Sequence, residues 1–212
     1  MTNKILLFEG YDGSGKTTLI ENFEKFLKEK GKTCLLVGRD YNRPINTITE
    51  IIKDKESEIN PTSEILLRLA RETERVKILN QNLDNYDYII LDRSVVSATS
   101  WVKFYNQTAD KYTDIVSEIV NAIGSCHLVY CFLPFEDTWE RVNSRPDKPL
   151  SKKEEKGKET NAKMFEALRQ TFLDFNFPTV NKIEIKTHQT REECISNLLT
   201  ELNLNDTTSD GQ

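Results

Sequence analysis

Short apolar runs alternate along this chain with segments in which apolar residues recur every three or four positions. The short runs predict five buried β-strands, at residues 4–8, 33–37, 86–91, 127–133 and 182–186. The segments between them predict amphipathic helices. Strands that alternate with helices in this way form a parallel sheet with helices on both faces. The pattern therefore predicts an α/β fold in three layers, with a five-stranded parallel sheet in the middle.

Two segments fall outside this pattern of packed elements. Residues 151–158 are charged and have few apolar side chains, which is typical of a mobile loop. Residues 205–212 form a polar tail that we expect to be disordered. Because neither an internal repeat nor a linker interrupts the chain, we expect residues 1–204 to form a single domain.

The composition narrows the classes of partner. Of 212 residues, 37% are hydrophobic and 30% are charged, and the net charge is −5. This charge argues against a general nucleic-acid binder, which needs a basic face. No apolar run reaches the roughly 20 residues that cross a bilayer, so we expect no membrane partner. The four cysteines lack the spacing of metal ligands, which is typical of reduced thiols in a cytoplasmic protein.

Residues 10–17, with the sequence GYDGSGKT, match the spacing of a phosphate-binding loop between the first strand and the first helix. The glycines allow several backbone N–H groups to point at phosphate oxygens, and the helix N-terminus adds positive potential. Lys16 can reach the β- and γ-phosphates of ATP, and the hydroxyl of Thr17 can ligate Mg²⁺. The motif therefore predicts chemistry on the phosphates of ATP.

A charged pair, Asp92 and Arg93, ends the third predicted strand. The carboxyl ends of parallel strands form the ligand-binding edge of such a sheet, so we expect this pair to lie beside the phosphate loop. Asp92 can hold Mg²⁺ or accept a proton, and Arg93 can bind a phosphate with its guanidinium fork. The alternative is that Asp92 only caps the next helix.

Together these residues resemble the thymidylate kinase family of nucleoside monophosphate kinases. Residues 8–18 are similar to its phosphate-loop signature, residues 91–94 to its Asp-Arg-aromatic motif with Ser94 in place of the usual tyrosine, and residues 139–145 to the start of its lid. The resemblance implies a P-loop kinase fold with a lid at about residues 141–160. It also implies ATP and Mg²⁺ as cofactors and a small nucleotide as acceptor, with dTMP the expected one.

The phosphate loop and the resemblance together assign roles to individual residues. Lys16, Asp92, Arg93 and Arg145 are the expected catalytic residues, and Thr17 and Asp92 the expected metal ligands. The residues assigned to ATP are Gly10, Asp12, Gly13, Ser14, Gly15, Lys16, Thr17, Thr18 and Arg141. Those assigned to the acceptor are Asp12, Arg39, Arg43, Arg71, Arg75 and Arg93.

The lid is expected to supply a cation. Some members of the family carry an arginine in the loop where this chain has Gly13, and this chain resembles the bacterial type, in which the lid supplies the cation instead. We therefore expect Arg145 to contact the transferred group and Arg141 to contact ATP. The lysines at positions 152, 153 and 156 are the next candidates, although lysines interleaved with acids are usually a solvated face.

The acceptor side departs from the family's pattern. Residues 38–44 replace the usual Arg-Glu-Pro segment, so either Arg39 or Arg43 is expected to hold the acceptor. Arg68, Arg71 and Arg75 share one face of the third helix, and a solvated face is the alternative to base recognition. The aromatic residues Trp101, Phe104 and Tyr105 are interpreted as core packing, with base stacking as the alternative.

Other activities stay open at this point. The Asp-Arg-Ser triplet also resembles the deoxynucleoside kinases, in which Asp40 would stand in for the catalytic base. The same fold also serves kinases of other small metabolites, and a nucleotide-hydrolysing regulatory module would use the same loop. A homodimer is among the assemblies that the sequence allows.

Overall fold

A computed structural model describes residues 4–56, 58–145 and 150–204. In these ranges the chain forms five strands, β1 (Ile5–Glu9), β2 (Cys34–Val37), β3 (Tyr88–Asp92), β4 (Cys126–Phe132) and β5 (Val180–Lys186). It also forms eight α-helices, α1 (Lys16–Glu29), α2 (Arg43–Lys53), α3 (Pro61–Asn82), α4 (Val95–Phe104), α5 (Thr113–Ile123), α6 (Phe135–Asn143), α7 (Gly157–Asp174) and α8 (Arg191–Glu201). Two short 3₁₀ helices lie at Ala109–Tyr112 and Glu154–Lys156.

The five strands form one sheet in the order β2-β3-β1-β4-β5, and every neighbouring pair is parallel. Strand β1 lies at the centre, and all five of its residues are buried because helices cover both faces. The register places Phe8 opposite Asp92 and Glu9 opposite Tyr130. The carboxyl ends of β1, β3 and β4 therefore meet at one edge of the sheet, as the sequence predicted.

Alternate residues of the strands pack into two separate hydrophobic cores, one on each face of the sheet. Leu6 and Phe8 of β1 face the cluster that includes α1 and α8, whereas Ile5 and Leu7 face the cluster that includes α3, α4, α5 and α7. This division follows from the twofold alternation of side chains along a strand. The three-layer α/β/α fold predicted from the sequence is confirmed.

Side-chain caps mark where several helices begin. Asn42, Asn60 and Ser94 each precede a helix, and a side-chain oxygen of each accepts a hydrogen bond from a backbone N–H in the first turn. Thr190 and Glu193 form a capping box at the start of α8. Such caps satisfy N–H groups that have no partner within the helix. Among the residues described, no helix is both long and apolar enough to cross a membrane.

The prediction that residues 151–158 form a loop is wrong for most of this segment, while its predicted mobility stays a prediction. This segment contains the 3₁₀ helix and the start of α7, and Glu154 is buried. The carboxylate of Glu154 accepts a hydrogen bond from the N–H of Ser151 at 2.7 Å and lies 3.5 Å from Nη1 of Arg145. The buried charge of Glu154 therefore has two polar partners. Residues 146–149 of the expected lid and the tail at 205–212 lie outside the described residues.

Arg75 of α3 ties this helix to the ends of two strands. Its side chain is fully buried and donates to the carbonyl oxygens of Val37, Asp92 and Arg93, at 2.6–3.0 Å. It also pairs with the buried carboxylate of Glu72 at 2.7 Å. One interpretation of the sequence was that Arg68, Arg71 and Arg75 form a solvated face of α3. It is wrong for Arg71 and Arg75, because both are buried. The apolar residues of α3 did not predict this burial, because the polar side of the helix is also covered by other parts of the chain.

Replacing Arg75 should destabilise the fold strongly. Arg75→Met would leave Glu72 with less compensation and three buried carbonyl groups without a donor, so we expect a loss of about 3–5 kcal/mol in the free energy of unfolding. Urea titration measures this loss. The matched control is Lys77→Met, which removes an exposed pair on the same helix and should cost less than about 1 kcal/mol. Equal losses for the two variants would contradict the structural role of Arg75.

Candidate active site

The loop between β1 and α1 lines a cavity at the edge of the sheet and packs closely against α6. Gly13 has a φ of 86°, and a Cβ at this position would lie 2.7 Å from the carbonyl oxygen of Thr138. Only glycine accepts this combination of backbone angle and close contact without strain. A turn in which Ser14 N–H donates to the carbonyl of Tyr11 at 3.1 Å then leads into α1.

The chemistry of this loop fits an anion. Helix α1 begins at Lys16 after Gly15, which has no side chain to cap the first N–H groups. The hydroxyl of Ser14 is buried and has no hydrogen-bond partner among the described residues. Open N–H groups, a helix N-terminus and an unpaired hydroxyl are the features that bind phosphate. The structure thus brings together the loop residues that the sequence assigned to ATP.

Lys16 and Asp92 form an ion pair across the loop. Burial alone would raise the pKa of Asp92, but the ammonium group of Lys16 and the guanidinium of Arg93 outweigh it and lower the pKa. Asp92 is therefore an ionised carboxylate that lies on the same cavity as the exposed hydroxyl of Thr17. Both are hard oxygen donors, which suits Mg²⁺. The described residues contain no cluster of three or more His, Cys, Asp or Glu side chains that could hold a metal, so phosphate oxygens and water would complete the coordination.

Arg93 directly follows β3 and lines the same cavity as the phosphate loop. Its backbone has a φ of 78°, in the left-handed region that residues with a side chain rarely adopt. Its guanidinium donates to the carbonyl of Gly10 and to Asp12 Oδ1, the latter at 2.6 Å, and lies 3.6 Å from Glu9 Oε2. The side chain that the sequence assigned to phosphate binding is thus held by three groups from β1 and the loop after it.

Glu9 is a functional position that the sequence reading missed. Its fully buried carboxylate accepts hydrogen bonds from the N–H and hydroxyl groups of both Ser94 and Ser97, at 2.6–3.0 Å. These bonds fix the start of α4 directly after Arg93. The available signal was an acidic residue at the end of an otherwise apolar strand, directly before the glycine-rich loop.

Lys153, which the sequence analysis placed after the two arginines as a candidate cation, lies at the phosphate loop. Lys153 pairs with Asp12 Oδ2, and its ammonium group lies 4.1 Å from the centroid of the Tyr11 ring. The Tyr11 hydroxyl donates to Asn161 at 2.7 Å, and Asn161 in turn donates to the carbonyl of Lys153 at 3.0 Å. Lys153 is therefore anchored at the phosphate loop and does not belong to a solvated face.

The two lid arginines line the same cavity with weaker contacts. Arg141 Nη1 lies 3.5 Å from the carbonyl of Gly13, and Arg145 Nη1 lies 3.5 Å from Glu154. Arg141 is therefore beside the loop assigned to ATP. The described contacts of Arg145 hold it toward Glu154 and not toward the loop.

A cavity of about 1160 Å³ joins the phosphate loop to the acceptor side. Arg39 and Arg71 line it, together with the aromatic side chains of Trp101, Phe104 and Tyr105. These rings also pack against one core cluster, as the core-packing interpretation expects. Base stacking by the same rings stays an alternative. The structure does not bring Arg43 or Arg75 to the cavity: Arg43 is exposed at the start of α2, and Arg75 is buried beneath the strand ends. Their assignment to the acceptor therefore stays a prediction that the lining of the cavity does not support.

The parallel sheet, the loop before α1 and the Asp92–Lys16 pair define a class, the P-loop kinases. The comparisons with known proteins specify it further. The sequence profile described as "Thymidylate kinase" matches residues 8–197. Two similar relatives are the thymidylate kinase of Chlorobaculum tepidum, 32% identical over 69% of this chain and 70% of the relative, and that of Prosthecochloris aestuarii, 30% identical over 71% and 69%. The thymidylate kinase of Prochlorococcus marinus is 26% identical over 95% of this chain and 97% of its own length.

The chain belongs to the thymidylate kinase family. It is therefore a nucleoside monophosphate kinase that transfers a phosphoryl group from ATP to dTMP. Members of this family use ATP and Mg²⁺ in general. The family resemblance inferred from residues 8–18 and 91–94 is confirmed.

Acid should weaken the contribution of Asp12 to stability. Burial alone would raise the pKa of Asp12, but Lys153 and Arg93 outweigh it and hold the pKa well below its ordinary value of 3.8. Between the pKa of Asp12 in the folded chain and its higher pKa in the unfolded chain, the unfolded chain binds more protons. The stabilisation by Asp12 is therefore complete at neutral pH and is lost as the pH falls below about 4. We expect Asp12→Asn to lower the free energy of unfolding at pH 7, and the difference from wild type to shrink toward pH 3.

Urea unfolding at several pH values measures this difference. The control is Asp84→Asn at an exposed position, which should change the free energy of unfolding at pH 7 by less than about 0.5 kcal/mol. A difference between wild type and Asp12→Asn that stays constant from pH 7 to pH 3 would contradict the ion pairs of Asp12.

Proposed function

We propose that ATP with Mg²⁺ lies on the phosphate loop and that the phosphate of dTMP lies beside Arg39 and Arg93. The observation that supports this most strongly is that one cavity is lined both by the loop and by these arginines. Small-molecule sites typically have volumes of about 300–1,000 Å³. A cavity of about 1160 Å³ is therefore large enough for two nucleotides whose phosphates meet in the middle.

On the ATP side, the chain supplies a cradle of positive groups. The N-terminal N–H groups of α1, the hydroxyl of Ser14 and the ammonium of Lys16 would bind phosphate oxygens. When bound, Mg²⁺ neutralises charge on the β- and γ-phosphates, and Thr17 and Asp92 are the side chains suited to hold it. Arg141 would contact ATP from the lid side, because it lies near the carbonyl of Gly13.

On the acceptor side, the positive charges of Arg39 and Arg93 lie close enough to affect each other. Burial lowers the pKa of Arg39, and the nearby positive charge of Arg93 lowers it further. A phosphate with two negative charges between these guanidinium groups would offset both effects, and the forked geometry of arginine suits it. Asp12 would accept a hydrogen bond from a sugar hydroxyl of the acceptor.

Phosphoryl transfer itself needs little covalent help from the protein. An oxygen of the acceptor's phosphate forms the new bond to the γ-phosphorus, and the bond from that phosphorus to the β–γ bridging oxygen breaks. Because the attacking oxygen is already anionic, no strong base is required. Positioning of the two phosphates, neutralisation of their charge and exclusion of water supply the acceleration.

The structure does not favour the deoxynucleoside kinase alternative. Such an enzyme would need a carboxylate base at the acceptor hydroxyl, and Asp40 is exposed and outside the residues that line the cavity. Glu9 is fully buried and occupied by Ser94 and Ser97. A phosphorylated acceptor fits the arginine-rich side better.

We assign the cation from the lid to Lys153 ahead of Arg145. Lys153 already lies at the phosphate loop, in an ion pair with Asp12. A γ-phosphoryl group in this region would compete with Asp12 for the ammonium group. Arg145 stays a candidate because it lines the same cavity, but the structure holds it at Glu154.

An ADP-release assay across acceptors tests the proposed function. With ATP and Mg²⁺, we expect dTMP to be the best of the common nucleoside monophosphates and to be far better than thymidine. Lys16→Ala is the control for contaminating kinases and should lower kcat/KM by roughly 10²-fold or more, since it removes a charged contact with the transferred phosphates. Turnover of thymidine with none of dTMP would support a deoxynucleoside kinase instead, and no turnover of any acceptor would refute both.

Steady-state kinetics on lid variants test the assignment of the cation. We expect Lys153→Ala to lower kcat by roughly 10²-fold with little change in the KM for ATP, because the contact is made mainly in the transition state. Arg145→Ala should have a smaller effect on kcat. Lys163→Ala, which removes an exposed lysine of α7, is the control. The reverse order, with Arg145→Ala the more damaging, would return the role to Arg145.

A further inference from the structure

One aromatic residue of the phosphate loop restrains both ends of Lys153. The centroid of the Tyr11 ring lies 4.1 Å from the ammonium group of Lys153, and the Tyr11 hydroxyl donates to Asn161 Oδ1 at 2.7 Å. The amide nitrogen of Asn161 in turn donates to the backbone carbonyl of Lys153 at 3.0 Å. Tyr11 therefore restrains the side chain of Lys153 directly and its backbone through Asn161.

Asn161 connects this contact to the start of α7. Besides the carbonyl of Lys153, its amide nitrogen lies 3.4 Å from the carbonyl oxygen of Glu154 and 2.8 Å from that of Gly157. The side chain of Asn161 is fully buried, so breaking one of these bonds would leave a polar group without a partner. A single amide group thus fixes the backbone of residues 153–157 relative to the phosphate loop.

The bond between Tyr11 and Asn161, which we call the Tyr11–Asn161 bridge, is itself supported by the core. The Tyr11 ring packs edge-on against Phe165, with ring centroids 5.6 Å apart. Phe165 lies on the same helix as Asn161 and belongs to the core cluster on that face of the sheet. Burial raises the pKa of the Tyr11 hydroxyl, and the charge of Asp12 raises it further, so the hydroxyl stays a hydrogen-bond donor at neutral pH.

The bridge leaves Lys153 accessible to a substrate. Lys153 and Asp12 line the cavity, and their side chains are 22% and 27% exposed. Asn161 is fully buried and lies outside the set of described residues that line the cavity. Asn161 can therefore act on a substrate only through the residues that it holds, whereas Lys153 can touch one.

We propose that Tyr11 and Asn161 are positioning residues that hold Lys153 at the phosphate loop before a substrate binds, so that its ammonium group is a preformed part of the site. A cation that is already in place needs no reorganisation when charge develops on the transferred phosphoryl group. A displacement of about 1 Å in such a site can lower the rate about 10²-fold. The inference rests on the proposed function, because it takes Lys153 to be the cation that contacts this group.

Kinetics of Tyr11→Phe test this proposal, because the change removes the hydroxyl and keeps the ring. We expect kcat with dTMP to fall about fivefold or more, with the KM values for ATP and dTMP within about twofold of wild type. The matched control is Tyr112→Phe, which removes another buried hydroxyl, one that has no partner among the described residues and lies outside the cavity lining. An unchanged kcat in Tyr11→Phe, or an equal loss in the control, would overturn the proposal.

A double-mutant cycle with Lys153→Ala separates positioning from a general loss of structure. If the Tyr11 hydroxyl acts through Lys153, then adding Tyr11→Phe to Lys153→Ala should change kcat by less than about twofold. A loss of kcat by the same factor in both backgrounds would overturn the proposal, because the hydroxyl would then support activity by another route.

Tryptic cleavage of the protein without substrates tests the positioning independently of turnover. Trypsin cuts after the lysines at positions 152, 153 and 156 only where the backbone opens. We expect Tyr11→Phe to be cut in this segment about fivefold faster than wild type, which is the size expected for the loss of one hydrogen bond. Tyr112→Phe should be cut at the wild-type rate. Equal rates for wild type and Tyr11→Phe would overturn the proposal.

These measurements separate this proposal from the proposed function. A large loss of kcat in Lys153→Ala, together with wild-type kcat and cleavage in Tyr11→Phe, would overturn the role of the bridge and leave Lys153 as the cation. A normal kcat in Lys153→Ala would refute the assignment of the cation, and the proposal that depends on it would fail as well.

Discussion

The geometry of this site depends on how Arg93 is held. Its backbone adopts a φ of 78°, which costs about 1–3 kcal/mol for a residue with a side chain and persists only where neighbours over-determine it. Hydrogen bonds fix the backbone at Arg93 and directly after it. Arg75 donates to the carbonyl groups of Asp92 and Arg93, and Glu9 accepts from the first residues of α4. The parallel register of β1 and β3 sets the distance between these groups. The side chain is thereby directed to Gly10 and Asp12 in the loop after β1.

The charges of the site are balanced internally. Each of five buried or half-buried cations has a carboxylate partner, in the pairs Lys16–Asp92, Lys153–Asp12, Arg93–Asp12, Arg68–Glu64 and Arg71–Glu72. Unpaired charges at this depth would be costly, so the pairs keep the site folded when no substrate is bound. In the function we propose, phosphate groups of the substrate would compete for the same cations. Binding would then exchange internal ion pairs, including that of Lys153, for contacts with the substrate.

The fold and the reaction class could be predicted from sequence because both depend on local patterns. The alternation of apolar runs and helical spacing requires a parallel sheet covered on both faces, and the observed order of five parallel strands agrees. The expectation for residues 10–17 rests on their spacing, since a glycine-rich turn before a helix presents N–H groups and positive potential that suit phosphate. The same holds for Asp92 and Arg93, because the carboxyl end of a strand in such a sheet is a place defined by topology.

The acceptor side and the lid were decided by tertiary structure. Helical spacing puts Arg68, Arg71 and Arg75 on one face of α3, but only packing shows that Arg75 supports the strand ends while Arg68 and Arg71 line the cavity. Likewise, only the folded chain brings Lys153 to Asp12, 141 positions earlier. Local sequence determines which backbone a segment forms and which of its faces is apolar. It does not determine which distant carboxylate a lysine or arginine will meet, because that depends on how the elements pack.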